Sequence, residues 1–539
     1  MNDARGHASE ADTALVSVRD AVFDLLRGLK LTTVFGNPGS TELPFLDRWP
    51  DDFHYVLGLQ EASVVGMADG YARATGHAAF CNLHSAAGVG HALGNIYNAY
   101  RNQTPLVISA GQQSRSLLPM NPFLGASEAA SFPKPYVKWS CEPARGEDVP
   151  AAIAHAYHVA TQRPYGPTLV SIPFDDWRAK TRRVPVRTVS SDVMPDPAAL
   201  DALARALSEA QRPVIVAGAE IDQDKAGDAM VALAERIRAP VWAAPFASRV
   251  VFPEDHNLFA GFLTASPEAL SQTLAQHDVV LVIGAPVFTF HVPGDCALFR
   301  SGARIFQITA DSEALAAAPA GTGVLGSLRQ ALPALVNRVE KRGRTVAARK
   351  QPPAPTADHP IKAEYLLHTL SRAMPRDAIV VEEAPVHRPA IQAYLPIKGY
   401  GAFHTMASGG LGYSLPAAVG IALAEPARRV VCIIGDGSMM YSFQALWTAV
   451  RHELALTVIV LNNAGYGALR SFGQVLQIRG APGFDLPGLD FIALAKGVGC
   501  DARQIQRAED ISGMLASAWE RTSPFLIDVH VESQVPNLY

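Results

Sequence analysis

The sequence contains few cysteines, no long apolar run and no large excess of charge of either sign. Its five cysteines, an odd number in 539 residues, are widely spread and form no C-x-x-C pair, so neither a disulfide framework nor a cysteine zinc site is expected. The net charge is −4 and no Lys/Arg-rich run stands out, so no nucleic-acid partner is expected.

Membrane and export signals are equally scarce. The longest apolar stretches, such as 279–288, are about ten residues long, which is too short to cross a bilayer. Residues 1–13 are polar and lack the apolar segment of a signal peptide. We therefore expect no membrane partner and a cytoplasmic location.

Three α/β blocks joined by proline-rich linkers account for most of the chain. Apolar residues make up 49% of the sequence and charged residues 18%, as expected for well-buried globular domains. In each block, helix-period segments alternate with short apolar strands, which is typical of parallel βαβ units. The expected fold is α/β, with three successive doubly wound parallel-sheet domains at 15–184, 197–336 and 361–531.

Ligands of open parallel sheets bind beyond the carboxyl ends of the strands, so the residues that follow each strand are candidate site residues. The predicted strands are 33–35, 55–57, 79–83, 106–109 and 168–172 in the first block, 214–217, 241–243, 279–283 and 305–309 in the second, and 378–381, 430–434, 458–461 and 525–529 in the third.

Two strand ends of the third block suit a metal ion and a phosphate. One strand leads directly into Gly435, Asp436 and Gly437, and a later strand is followed by Asn463. Carboxylate and amide oxygens suit Mg²⁺, which commonly shares its ligands with a substrate phosphate, and glycine lets the backbone approach that phosphate. Gly-Asp-Gly alone is an ordinary turn; the paired strand end favours the metal–phosphate interpretation.

Strand ends of the first two blocks carry further candidates. Ser40 follows a Gly-Asn-Pro-Gly turn and could cap a helix or contact a substrate. Glu61 opens a helix with a buried face, where a carboxylate needs a partner. His84 and His291 each lie just beyond a buried strand, a position at which a lone histidine is more often structural.

These features together resemble the thiamine diphosphate-dependent decarboxylases, over residues 18–531. Within that family, the strings at 36–40, 82–88, 284–291 and 466–470 are most similar to the benzoylformate decarboxylases. The resemblance implies a pyrimidine-binding domain, a central Rossmann-like domain and a diphosphate-binding domain. It also implies that the cofactor lies between the first domain of one subunit and the third of another, in a homodimer at minimum and by analogy a homotetramer.

The resemblance assigns roles to individual residues. Glu61 would hydrogen-bond N1′ of the thiamine diphosphate aminopyrimidine, the Gly409 carbonyl would receive N4′, and Leu411 would hold the cofactor in its bent form. The implied cofactor-binding residues are Glu61, Gly409, Leu411, Gly437, Ser438 and Tyr466, and the implied ligands of Mg²⁺ (or Ca²⁺) are Asp436, Asn463 and the backbone oxygen of Gly465.

The implied reaction is the non-oxidative decarboxylation of a small-molecule 2-keto acid, aromatic and benzoylformate-like, to an aldehyde and CO₂. Ser40 would bind the substrate carboxylate or carbonyl, and His84 and His291 would move protons, so that with Glu61 these form the implied catalytic set. The implied walls of the substrate pocket are Leu124, Thr405, Ala468, Leu469 and Phe472.

The sequence departs from the family pattern at two places. Ala384, Pro385 and Val386 replace a hydroxyl-rich run, and Thr405 stands where the family has phenylalanine near the substrate ring. These changes favour a different or bulkier 2-keto acid, or the ligation of aldehydes. Two alternatives therefore stay open: an acetolactate-synthase-like carboligase or lyase, and a non-catalytic cofactor-binding relative, against which the intact Glu61 argues.

Overall fold

The computed structural model describes residues 14–536 and 538. Three six-stranded sheets, in which every pairing is parallel, confirm the predicted α/β class. The predicted lack of a signal segment at 1–13 lies outside the described residues, and the predicted domain boundaries stay predictions.

The N-terminal sheet contains the five strands predicted for the first block and one further strand, Trp139–Cys141. In spatial order its strands are His54–Leu57, Thr33–Gly36, Ala79–Leu83, Leu106–Gln112, Pro167–Pro173 and Trp139–Cys141. Its helices are Val18–Gly28, Leu43–Leu46, Glu61–Thr75, Ser85–Arg101 and Val149–Ala160, with short 3₁₀ turns at Ser40–Glu42, Leu118–Met120, Gly146–Asp148 and Asp176–Arg178. Val16–Ser17 pairs antiparallel with Lys180–Thr181, which ties the two ends of this region together.

The central sheet lies between 197 and 336. Its strands in spatial order are Phe259–Phe262, Val241–Ala243, Pro213–Ala217, Val279–Ile283, Arg304–Thr309 and Thr322–Leu325. Its helices are Pro197–Glu209, Glu220–Gln223, Gly227–Ile237, Pro267–Leu274, Ser312–Ala316 and Leu328–Val336.

The C-terminal sheet contains the two strands whose ends are predicted to bind a metal ion and a phosphate. Its strands in spatial order are Phe403–Thr405, Ile379–Glu383, Val430–Gly435, Leu456–Asn462, Phe525–His530 and Asp501–Ile505. The helices of this region are Ala363–Ala373, Arg388–Tyr394, Ser414–Ala424, Asp436–Ser442, Ala445–Arg451, Gly467–Val475, Phe491–Gly497 and Ile511–Trp519, with 3₁₀ turns at Pro385–His387 and Ala508–Asp510.

Strands at the edges of the sheets are the elements that the sequence pattern missed. Val279–Ile283 and Val430–Gly435, in sheet interiors, are almost wholly buried and aliphatic, so both faces favour apolar side chains. Thr322–Leu325 and Asp501–Ile505 lie at edges and are largely exposed. An edge strand needs little apolar sequence, and its pattern therefore looks like that of a loop.

The chain forms two compact units. Of the described residues, the first unit contains 14–190, 408–425 and 442–452, and the second contains 191–407, 426–441, 453–536 and 538. None of the helices in the described part of the chain is long and apolar enough to span a bilayer.

In the first unit, helices Glu61–Thr75 and Ser414–Ala424 approach each other through glycine. A Cβ added at Gly420 would lie 1.8 Å from the carbonyl oxygen of Met67, and one added at Gly70 would lie 2.1 Å from that of Ala417. These are backbone atoms, which cannot swing aside as a flexible side chain could. The two helices therefore depend on glycine at both crossing points.

We predict that Gly420→Ala lowers the stability of the protein by at least about 1–3 kcal/mol, because the added methyl group must force the two backbones apart. Gly94→Ala is the matched control: Gly94 is exposed in helix Ser85–Arg101 and nothing lies near its Cβ position, so alanine should be neutral or slightly stabilising. Urea denaturation midpoints measure both. Equal midpoints for the two variants would contradict the close approach.

Candidate active site

The predicted site residues are divided between the two compact units. Ser40, Glu61, His84, Leu124, Gly409 and Leu411 lie in the first unit, and His291, Thr405, Asp436, Gly437, Ser438, Asn463, Gly465, Tyr466, Ala468, Leu469 and Phe472 lie in the second. Each set is described by itself.

Glu61 is the first residue of helix Glu61–Thr75. The side chain of Gln60 caps this helix by accepting from the Ser63 N–H, and the helix dipole favours a carboxylate in the first turn. The Glu61 side chain is only 10% exposed, and its Oε2 lies 3.1 Å from Nδ1 of His91. The partner that the sequence led us to expect for this carboxylate is therefore a histidine on the next helix.

One face of helix Ser85–Arg101 organises this part of the first unit. Gly88, His91, Asn95 and Asn98 recur at intervals of three and four residues, so they lie on one side of the helix. Gly88 leaves room for Glu61, since a Cβ there would lie 3.2 Å from the Glu61 Oε1. Further along the same face, Asn95 donates to the carbonyl oxygen of Ala62 at 2.7 Å.

The same helix face holds the glycine-rich loop at 408–412. Asn95 Nδ2 donates to the Gly412 carbonyl and Asn98 Nδ2 to the Gly410 carbonyl, each at 3.1 Å. Gly409, just before the first of these carbonyls in the chain, has φ +76° and is exposed, and Leu411, between the two, is half-buried. The predicted cofactor residues Glu61, Gly409 and Leu411 are thus held by one helix.

A buried glutamate next to Ser40 is a functional candidate that the sequence analysis missed. Glu42 is 1% exposed, and its Oε2 accepts from the Gly39 N–H at 2.7 Å and lies 2.9 Å from His84 Nδ1. The Thr41 hydroxyl donates to the other Glu42 oxygen and lies 3.0 Å from the same His84 nitrogen. The signal was present, because a glutamate three residues after a tight turn is typical of a capping box.

This network shifts the pKa of His84. The hydrogen bond with the Glu42 carboxylate raises the pKa of the His84 imidazole above its ordinary value, partial burial opposes this, and the charge of Glu61 adds to the rise. Ser40 itself is exposed and lies at the start of the 3₁₀ turn Ser40–Glu42.

Leu124 lies near the start of the same organising helix. Its backbone adopts φ +62°, and its carbonyl accepts from the hydroxyl of Ser85 at 3.0 Å. Ser85 follows His84 directly, so this hydrogen bond brings the half-buried Leu124 to the His84 end of the helix.

In the second unit, Asp436 stabilises the turn that follows the neighbouring strand. Its Oδ1 accepts from the Gly437 N–H at 2.7 Å and its Oδ2 from the Gly465 N–H at 2.9 Å. Burial nevertheless raises the pKa of Asp436, although these backbone hydrogen bonds oppose the rise. A buried carboxylate in this state gains from a bound cation.

Asn463 lies on the same turn with unused hydrogen-bonding capacity. Asn463 is 3% exposed, and its Nδ2 is buried without a hydrogen-bond partner among the described residues. A Cβ at Gly467 would lie 2.8 Å from this nitrogen, and one at Gly437 would lie 2.4 Å from the Tyr466 ring. Glycine at these positions keeps the amide and the ring in place against the turn.

The predicted metal ligands form an incomplete set by themselves. The Gly465 carbonyl accepts from the Gly467 N–H at 2.9 Å and keeps a second lone pair. No group of three or more His, Cys, Asp and Glu residues suited to a metal occurs in the described ranges. A metal at Asp436, Asn463 and Gly465 would therefore need further oxygens, which a diphosphate provides.

His291 and Phe472 lie together in the second unit. Their ring centroids are 4.6 Å apart, and the Phe246 ring is 6.0 Å from His291 on another side. Partial burial among these groups lowers the pKa of His291 below its ordinary value. Phe472 belongs to helix Gly467–Val475, which also carries Ala468 and the exposed Leu469.

Thr405 is fully buried, with its hydroxyl engaged. The hydroxyl donates to the Glu382 carbonyl at 2.8 Å and accepts from the Arg388 guanidinium at 2.7 Å, and Arg388 is also paired with the Glu382 carboxylate. The second Glu382 oxygen accepts from the Ala384 N–H at 2.6 Å. The segment that departs from the family pattern is thus fixed by a buried ion pair, and the pocket role of Thr405 stays a prediction.

Three family models match the chain in the order of its sheets. They are described as the N-terminal TPP binding domain, the central domain and the C-terminal TPP binding domain of thiamine pyrophosphate enzymes, at residues 16–132, 200–335 and 387–529. The chain belongs to the thiamine pyrophosphate enzyme family. This result confirms the resemblance that the sequence motifs indicated.

Individual relatives in this family span nearly the whole chain. A benzoylformate decarboxylase of Pseudomonas aeruginosa is 43% identical over 96% of this chain and 100% of its own length. The crystal structure of benzoylformate decarboxylase from Polynucleobacter necessarius matches with a TM-score of 0.95 and 38% identity, over 96% of this chain and 99% of that one. A thiamine diphosphate-dependent 4-hydroxybenzoylformate decarboxylase of Rhodococcus jostii matches with a TM-score of 0.94 and 40% identity, over 96% and 100%.

The residues present fit the cofactor of this family. In the first unit, the nearly buried Glu61 carboxylate has the exposed His91 as its one side-chain partner among the described residues, and no atom lies near the Cβ position of Gly409. In the second unit, the buried Asp436 has a raised pKa and Asn463 has an unpartnered amide nitrogen. Both sets offer the groups that an aminopyrimidine and a metal-bound diphosphate would use.

We predict that Glu42→Gln lowers the pKa of His84, because the carboxylate hydrogen bond is the largest influence that raises it and burial would then prevail. Selective ¹³C-histidine NMR titration measures this shift, with the His84 resonance assigned by its loss in His84→Asn. Glu128→Gln, an exposed substitution in the same unit, is the control. An unchanged His84 titration in Glu42→Gln would show that the hydrogen bond does not set the charge.

Proposed function

We propose that this protein catalyses the thiamine diphosphate- and Mg²⁺-dependent, non-oxidative decarboxylation of an aromatic, benzoylformate-like 2-keto acid to an aldehyde and CO₂. The observation that carries the proposal is the hydrogen bond between His84 and the buried Glu42, which raises the pKa of an imidazole at a strand end in the domain that holds Glu61. The relatives that cover the whole chain, and whose names state activity on benzoylformate or 4-hydroxybenzoylformate, support the substrate class.

The main chemical difficulty of this reaction is the acyl carbanion that loss of CO₂ leaves. Bound thiamine diphosphate would supply an electron sink for this carbanion. Glu61 would hold N1′ and the Gly409 carbonyl would receive N4′. Leu411, held with the loop at 408–412, would support the bent form. These three residues orient the cofactor, and the Glu61 carboxylate among them is largely buried.

The metal and diphosphate belong at the turn of the second unit. Asp436, Asn463 and the Gly465 carbonyl would bind Mg²⁺, with Ca²⁺ as a possible substitute. Gly437 and Ser438 would donate to the diphosphate, and Tyr466, whose ring lies against Gly437, would close that side of the turn. A cation here would satisfy the buried Asp436 charge.

Proton transfer falls to two histidines with opposite tendencies. His84 is shifted toward its charged form by Glu42, which suits a proton donor. His291 is shifted toward its neutral form by burial beside Phe472, which suits an acceptor. Groups whose surroundings move their pKa values in opposite directions are a common arrangement for an acid and a base.

The substrate would lie against an apolar surface. Ser40 would bind its carboxylate or carbonyl group, and the walls would be Leu124, Thr405, Ala468, Leu469 and Phe472. The Arg388–Glu382 pair supports the altered segment at 384–386 without offering a free cation, since the guanidinium is already neutralised. An aromatic ring is therefore a better fit here than a second charged group.

The assembly and location follow from the same proposal. The two halves of the cofactor site would be completed in a homodimer at minimum, and the family analogy gives a homotetramer. A small-molecule decarboxylase without membrane or nucleic-acid partners would act in the cytoplasm.

We predict release of CO₂ and benzaldehyde from benzoylformate when thiamine diphosphate and Mg²⁺ are both present. EDTA should abolish turnover and added Mg²⁺ should restore it. Glu61→Gln should lower kcat by about 10²–10⁴-fold, the usual range for loss of a group that positions or transfers a proton. A coupled aldehyde assay and CO₂ release provide the measurement.

The substrate panel should include pyruvate, branched aliphatic 2-keto acids and aldehydes alone. His77→Asn is the control variant, because His77 is exposed and outside both candidate sets. Acetolactate as the main product from pyruvate would replace the proposed reaction with ligation. No turnover of any aromatic or aliphatic 2-keto acid would end the proposal, as would full activity of Glu61→Gln.

A further inference from the structure

His91 is the exposed member of the polar helix face that holds Glu61. Its side chain is 64% exposed, whereas the Glu61 side chain that it contacts is 10% exposed. Asn95 and Asn98, on the same face, are buried and are bonded to the backbone of the glycine-rich loop. His91 differs from them because its partner is a charged side chain with a proposed role in cofactor binding.

The contact satisfies a group that would otherwise be costly. A carboxylate that is nearly removed from water needs a hydrogen-bond donor, and the imidazole Nδ1 at 3.1 Å supplies one. The other Glu61 oxygen lies next to Gly88, in the space that a side chain at that position would fill. A Cβ there would lie 3.2 Å from this oxygen and 3.3 Å from the Cβ of His84. The imidazole therefore occupies the donor position on Glu61 that the structure leaves accessible from solvent.

The contact is also easily broken. On the exposed His91 side the contact costs little to break, because water can replace the lost partner of the imidazole. His91 has open solvent around most of its ring, so it can rotate away without leaving a buried group unpaired on its own side. Glu61 cannot do the same and must receive another donor.

We propose that His91 is a positioning residue that holds the Glu61 carboxylate while the cofactor is absent and yields it to the aminopyrimidine when the cofactor binds. This inference rests on the proposed function, since it needs Glu61 to be the group that holds N1′. It adds a residue that competes with the cofactor for the Glu61 carboxylate.

The competition should weaken cofactor binding at low pH. Histidine changes its charge between about pH 5 and 8, and an imidazolium holds a carboxylate more strongly than a neutral imidazole does. The other titratable groups that face Glu61 from the elements packed against its helix are His84 and its partner Glu42. They are the same in wild type and in a His91 variant, so comparison of the two isolates His91.

The test is the dissociation constant of thiamine diphosphate at saturating Mg²⁺, measured by isothermal titration calorimetry at pH 8 and pH 6. The proteins are wild type, His91→Asn, the control His77→Asn, and Glu61→Gln with and without His91→Asn. Between pH 8 and pH 6, wild type should lose about two- to fivefold more affinity than His91→Asn, which is the range for an exposed ion pair. His77→Asn should follow wild type, and in the Glu61→Gln background the His91 substitution should have no effect on the pH dependence.

Identical pH dependence of wild type and His91→Asn would overturn the inference, and so would the same His91 effect in the Glu61→Gln background. The failure of the proposed function is distinguishable. If wild type binds the cofactor with the expected His91 effect but decarboxylates no 2-keto acid, only the proposed function fails. If wild type binds no thiamine diphosphate at either pH, both fail.

Discussion

One polar face of helix Ser85–Arg101 is the constraint on which the first half of the candidate site depends. Gly88 makes room for the Glu61 side chain, His91 gives it a donor, and Asn95 and Asn98 anchor the loop at 408–412. Asn98 also donates to Asn95 at 2.6 Å, so the two amides support each other. Because these contacts start from one rigid helix, the carboxylate and the loop keep a fixed relation that neither could keep alone.

The second half of the site depends on a turn that connects strand Leu456–Asn462 to helix Gly467–Val475. Asp436 leaves one strand and bonds to the backbone of the turn that follows the next strand, at Gly465. Asn462 shapes the same turn by accepting from the Ala464 N–H at 3.2 Å, and Ala464 adopts φ +56°. The turn is closed by local hydrogen bonds, and it keeps the Asn463 amide available for a ligand.

The positions of the strand ends could be predicted from the sequence, because buried parallel strands are aliphatic on both faces and end at glycine or polar residues. Glu61, His84, Asp436 and Asn463 were found in this way. Glu42 could not be recognised in this way, because it lies beyond the strand end in the 3₁₀ turn, and only the fold of that turn directs its carboxylate back to Gly39 and His84.

Side-chain pairings between separate secondary-structure elements were beyond the sequence analysis. His91 lies 30 residues from Glu61, and an exposed histidine on a helix looks like an ordinary solvated residue. The hydroxyl-poor segment at 384–386 was expected only to change the pocket wall, because nothing in the pattern showed that Arg388 would pair with the buried Glu382. Such contacts depend on how helices and strands pack, which local periodicity does not encode.

The central claim is that the face of helix Ser85–Arg101 fixes the loop next to Glu61, and hydrogen–deuterium exchange tests it most directly. In Asn98→Ala, the loop loses the hydrogen bonds of Asn98 with the Gly410 carbonyl and the Ser408 hydroxyl. Exchange of the amides at 408–412 should therefore become at least about five- to tenfold faster, the effect expected of a single lost hydrogen bond. The interior strand Val279–Ile283 in the other compact unit should exchange as in wild type. Unchanged exchange at 408–412 would contradict the account, because the loop would then be held by something other than this helix.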